Sequence, residues 1–130
     1  MGDGTQLGQV RGLGSAHHGS QHWLQQRLTA LANVALVIWF FVSLLRVPLT
    51  DYGQVRQWAA SPMVALPLML MVVSIFWHLR LGLQVLIEDY VHGAATRLLS
   101  LVLLNFFAVG AAAFGLFTIA RIAFAGGAGA

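Results

Sequence analysis

The chain has 130 residues, of which 58% are hydrophobic and only 8% charged, with a net charge of +3 carried by seven arginines and no lysine. Soluble domains carry about 25% charged residues, so this composition points to a membrane. So small a basic excess excludes a nucleic-acid surface, which needs a basic stripe. The absence of cysteine excludes disulfides, zinc–thiolate sites and cysteine-ligated iron–sulfur clusters, so any redox centre held here must use histidine.

In chain order, residues 1–20 hold six glycines and few apolar side chains, the composition of a flexible tail. They lack the basic-then-apolar order of a signal peptide. Trp23 and Arg27 suit the headgroup level. An apolar run over residues 28–47 follows, long enough to cross a hydrocarbon core of roughly 30 Å. Its one strongly polar side chain, Asn33, is expected to bond a neighbouring helix. Pro48 opens a loop, LTDYGQVRQWAAS, whose Tyr52 and Trp58 fit the opposite interface. Pro62 suits the first turn of a second span over residues 62–87, and Pro67 is placed to bend it near its start. The turn VHGAAT and Arg97 lead to a third span over residues 98–120. There Ala108/Ala112 and Ala111/Gly115 put small residues at four-residue spacing, which permits close helix–helix approach. Residues 125–130, AGGAGA, read as a second flexible tail. The expected architecture is all-α: an integral membrane domain over residues 21–124, three transmembrane helices running up-down-up.

Chemistry concentrates in IFWHLRLGLQVLIEDYVHG, residues 75–93. On a helix His78, Gly82, Val85 and Asp89 share one face, with Asp89 roughly 16 Å further along the axis than His78. A histidine inside a bilayer span is costly and usually faces a bundle interior. Two readings stand for His78: a neutral imidazole bonded to a neighbouring helix, or an axial haem ligand, for which neutral imidazole is well suited. Gly82 removes a side chain where a macrocycle would lie. His17, His18, His22 and His92 all lie near or beyond an interface, so a second axial ligand would come from another chain.

Asp89 and Tyr90 read either as ordinary interfacial residues or as a site for a ligand with a carbonyl headgroup and an apolar tail. Tyr90 can donate to a quinone oxygen, and Asp89 can orient it or relay a proton from the aqueous side; Glu88 reads as a solvated neighbour. Arg27 sits at the same end of the bundle, where a haem would present its propionates, and arginine pairs carboxylates bidentately; His22 could assist. Arg80 points away from the His78 face and is expected to snorkel to the interface. Arginine counts leave the orientation nearly tied: Arg11, Arg27, Arg97 and the nearby Arg80 at one end, Arg46, Arg56 and Arg121 at the other.

These residues resemble the hydrophobic membrane-anchor subunit of succinate dehydrogenase (respiratory complex II), the small cytochrome b-type D chain. The carriers are H-x3-G-x6-D-Y at the exit of the second span, His78 to Tyr90, and the looser H-x-x-x-x-R-x-T/S-A pattern in SQHWLQQRLTALAN. The likeness covers roughly residues 21–120. It implies that His78 ligates a haem b shared with a companion anchor subunit, a cytochrome b556-type C chain. It further implies that Asp89 and Tyr90 belong to the ubiquinone site and that Arg27 lies near the haem propionates. An iron–sulfur subunit and a flavoprotein, bearing the iron–sulfur clusters and FAD, would complete the complex. The expected place is a bacterial inner membrane, N-terminus cytoplasmic, with succinate oxidised elsewhere in the complex. Rival readings are a quinol:fumarate reductase anchor, a haem-free structural anchor or assembly factor, and a small transporter, for which no inverted repeat or charged path is present.

Overall fold

The computed structural model describes residues 19–127; of the tails expected over residues 1–20 and 125–130, residues 1–18 and 128–130 lie outside the described residues, while residues 19–20 and 125–127 are helical. Four helices follow in order: α1 Gly19–Leu44, α2 Tyr52–Ala60, α3 Pro62–Tyr90 and α4 Ala94–Gly127. No strand occurs among the described residues. α1, α3 and α4 have 26, 29 and 34 residues. At about 1.5 Å per residue each exceeds the roughly 30 Å of a bilayer core. All three are apolar enough to cross it. The chain is an all-α membrane protein with three spans.

The helix ends follow local chemistry. α1 starts well before the apolar run because Ser20 to Arg27 contains no glycine or proline and is rich in good helix formers. It stops at Leu44, short of Pro48, which disfavours helical backbone in the residue before it. The expected loop contains α2, which the sequence reading did not anticipate as a helix. Asp51 starts it as N-cap, its carboxylate accepting from Gly53 N at 2.8 Å and Gln54 N at 3.3 Å. Ser61 alone separates α2 from α3. Its N–H donates to Gln57 O and Trp58 O, while its carbonyl accepts from Val64 N and Ala65 N. Pro67 lies within α3 without ending it. α4 runs on past residue 120 to Gly127.

α3 is the centre. It packs against α1 on one side and α4 on the other, while α1 and α4 do not pack on each other. α2 lies against α4 and the start of α3, pinned to α1 by a hydrogen bond from Trp58 Nε1 to Ser43 Oγ at 2.9 Å. The α3–α4 seam is tight because its residues are small. Ala108 is buried, and a Cβ added at Gly115 would come within 2.9 Å of Val72 Cγ1. Among the described residues the buried hydrophobics are Ala65, Leu81, Leu104 and Ala108 alone. Nearly all other apolar surface faces outward, toward lipid or another chain.

Candidate functional site

The α1–α3 seam carries one of the two sets of polar side chains within the spans. On α1, His22, Gln26, Thr29 and Asn33 follow at i, i+4, i+7 and i+11 and so share a face. On α3, Ser74, His78 and Gly82 do the same. The two faces meet at His78, whose Nδ1 lies 3.0 Å from Thr29 Oγ1. Thr29 Oγ1 also lies 2.8 Å from Gln25 O and 3.2 Å from Gln26 O.

The tautomer of His78 decides the direction of that bond. A threonine hydroxyl has one proton, and carbonyl oxygens can only accept. When the Thr29 proton goes to an α1 carbonyl, the hydroxyl offers a lone pair to His78. In that tautomer His78 Nδ1 carries the N–H and donates, which leaves Nε2 with a free lone pair. This is how proteins usually fix a metal-binding imidazole: the second ring nitrogen is held by a neighbour, setting both tautomer and orientation.

The seam has further unused hydrogen-bonding capacity. Gln26 Oε1, Asn33 Oδ1 and Ser74 Oγ are buried with no partner. Asn33, expected to bond a neighbouring helix, thus has its carbonyl oxygen unmatched among the described residues. Such groups are costly when left unmade. Gly82 faces α1, where an added Cβ would lie 3.5 Å from Gln26 Nε2, an ordinary contact. Alongside, an open groove of about 460 Å³ is lined by Thr29, Leu36, Leu70, Ser74 and Trp77 among others.

The remaining sequence candidates are spread more widely. His22 is half-buried on the seam face of α1. Arg27 is exposed on another face, its guanidinium 5.4 Å from the Trp23 ring centroid. Asp89 and Tyr90 end α3 and are exposed, Tyr90 to 76%. Nearby Glu88 accepts from Gln84 Nε2 at 2.9 Å. His92 lies exposed in the α3–α4 turn, and His17 and His18 lie outside the described residues.

Arg80 departs from expectation. Its Nε donates to Asn105 Oδ1 on α4, and its guanidinium lies 5.2 Å from the Trp77 ring centroid. Its guanidinium is turned toward α4, where an amide accepts one of its five N–H bonds, rather than along α3 toward the interface. Asn105 is held in turn by donating from Nδ2 to Leu101 O at 2.7 Å. The sequence reading gave no role to Thr29 or Asn105. Thr29 was visible as the T/S of the first-span pattern, seven residues after His22; Asn105 was visible only as an amide within an apolar span.

Residues 1–114 match the model of the family described as succinate dehydrogenase/fumarate reductase transmembrane subunit. The chain is 33% identical over 87 residues to the succinate dehydrogenase hydrophobic membrane anchor subunit of Rickettsia bellii, covering 67% of this chain and 70% of the relative. It is 34% identical over 95 residues to the succinate dehydrogenase membrane anchor subunit of Reclinomonas americana, covering 70% and 78%. It is 30% identical over 88 residues to the hydrophobic membrane anchor subunit of Paracoccus denitrificans, covering 68% of each chain. No solved structure matches.

Proposed function

Because the chain belongs to the succinate dehydrogenase/fumarate reductase transmembrane subunit family, we propose that it anchors a bacterial succinate:ubiquinone oxidoreductase in the inner membrane, supplies one axial ligand to a haem b, and forms part of the quinone-reduction site. Its N-terminus and the Asp89–Tyr90 end would face the cytoplasm, beneath the iron–sulfur subunit. The flavoprotein would dock beyond it, and a second anchor would complete the haem site.

The observation that carries the haem reading is the Thr29–His78 bond. In the Nδ1–H tautomer it holds the imidazole with Nε2 free, the state an iron ligand requires. Haem b, when bound, supplies a one-electron redox centre within the membrane. This chain's part is to hold the imidazole, with Gly82 keeping the next turn of α3 free of a side chain. His22 stands toward the propionate side on the seam face. Arg27 would join it by swinging its guanidinium off Trp23.

At the end of α3, the Tyr90 hydroxyl would donate to a quinone carbonyl. Quinone reduction consumes two protons with two electrons, and the solvent-exposed Asp89 carboxyl is a suitable carrier from water to that oxygen. Exposure of both side chains in the single chain fits a pocket whose other walls belong to partner subunits. FAD and the iron–sulfur clusters would reside in those partners. The family description also includes fumarate reductase, and the quinone that co-purifies distinguishes the two directions.

The deciding measurement is a reduced-minus-oxidised absorption spectrum of the solubilised native complex beside His78→Ala. The expected outcome is a b-type spectrum lost or converted to high spin in the variant. An unchanged spectrum would remove His78 from the haem site, and no haem in either would leave a structural anchor.

A further inference from the structure

We propose that the cavity between α2 and the last turns of α4, at the end of the bundle opposite Asp89 and Tyr90, binds the phosphodiester of an anionic phospholipid. This does not depend on the haem or quinone assignments. The cavity is open, holds about 530 Å³, and is lined by Tyr52 and Arg56 of α2 with Phe114, Phe117, Thr118 and Arg121 of α4 among others.

Among the described residues no carboxylate lines it. Of the chain's four acids, Asp3 lies outside the described residues, Glu88 and Asp89 lie at the far end of α3, and Asp51 is engaged in capping α2. Thr118 Oγ1 already donates to Phe114 O. The free donors are therefore two guanidinium groups and the Tyr52 phenol. Planar guanidinium forks match the oxygens of a phosphate better than any neutral acceptor.

The apolar part of the cavity has the matching direction. Phe114 lies about 10 Å deeper along α4 than Arg121, and Phe114 and Phe117 are exposed to 73% and 64%. Donors thus sit at headgroup level with an aromatic wall beneath them, the order of a phospholipid within a leaflet. Two arginines with no carboxylate beside them among the described residues favour a net-anionic headgroup over a zwitterionic one, whose cation would meet like charge. The pairing also gives a use to basic residues at the end where the arginine count left orientation tied.

The test is native mass spectrometry of the solubilised complex titrated with dioleoylphosphatidylglycerol or dioleoylphosphatidylcholine. The native complex should retain phosphatidylglycerol preferentially. Arg56→Gln/Arg121→Gln should weaken that retention about 30-fold and leave phosphatidylcholine unchanged. Arg46→Gln, at the same end but lining a different groove, should retain it, as should Arg56→Lys/Arg121→Lys, which keeps the charge. Equal retention of the two lipids by the native complex would overturn the proposal. So would an Arg46→Gln loss, or a double-lysine loss, as large as that of the double-glutamine variant. Displacement of phosphatidylglycerol by inorganic phosphate at comparable concentration would assign the site to the free anion and overturn the lipid reading.

Discussion

At the scale of single residues, the chain places its few polar side chains within the spans on two seams, Thr29 and His78 between α1 and α3, Arg80 and Asn105 between α3 and α4. Thr29 is the clearest case, since a single hydroxyl both satisfies α1 carbonyls and orients His78. Thr29→Val keeps the volume and removes the acceptor, leaving His78 Nδ1 without its partner. Losing such an outer partner typically costs 10–100-fold in metal affinity. On the haem reading, Thr29→Val should therefore lower the haem-to-protein ratio of the purified complex, while Thr29→Ser should keep it. Equal haem content and spectra in native and valine complexes would show that the hydroxyl does not position the ligand. His78 was legible in the sequence because an ionisable group within an apolar span stands out. Its partner was not, because the bond joins residues 49 apart in sequence and depends on the rotation of two helices about their axes.

At the scale of elements, α2 is the instructive one. Its sequence looked like a loop because it is short, polar and contains Gly53, yet Asp51 places a carboxylate where the first helical N–H groups need an acceptor. Hydrogen bonds from the Gln54 N–H, the Gln54 side-chain amide and the Gly53 N–H hold the Asp51 carboxyl below its ordinary value of 3.8. A depressed carboxylate stabilises the folded state above the unfolded pKa, and that contribution is lost as pH falls through the folded value. Fraying of α2 should thus increase below about pH 3.8, with no change between neutral pH and that point from this group. Asp51→Ala should produce the same fraying at neutral pH. Limited tryptic cleavage after the exposed Arg56 should become faster in the variant; an unaltered rate would mean that packing on α4 holds α2 without its cap. The long spans were far more legible than α2, since about twenty apolar residues in succession admit few alternatives. Their ends were less so: α1 gained its Gln-rich start and α4 its extension to Gly127 because helix propensity continues where hydropathy stops.

For the whole molecule, the organising fact is that α3 alone touches both other spans. Its contact with α4 relies on Gly115, where even a methyl would approach Val72 Cγ1 to 2.9 Å. Gly115→Leu should force the helices apart and cost about 1–3 kcal/mol, read as a lower midpoint in detergent unfolding of the complex. Combining Gly115→Ala with Val72→Ala should recover stability relative to Gly115→Ala alone; failure to recover would place the strain elsewhere. The small-residue spacing of the third span made this approach legible. The Arg80–Asn105 bond was hidden, because helix periodicity says which face a residue occupies and not what the neighbouring helix brings to it. The family was legible from His78, Gly82, Asp89 and Tyr90 taken together, while the identity of the chains covering the outward apolar surface is not written in this sequence.

The central place of α3 also has a consequence in time. Thr29 and His78 are 49 residues apart, whereas Arg80 and Asn105 are 25 apart. At roughly 5–20 residues per second of synthesis, α1 enters the bilayer some seconds before the helix whose His78 meets its Thr29. The α1–α3 seam can then close while α4 is still being made. The histidine-bearing half of the protein is thus ready to meet another subunit before the ribosome has finished the chain.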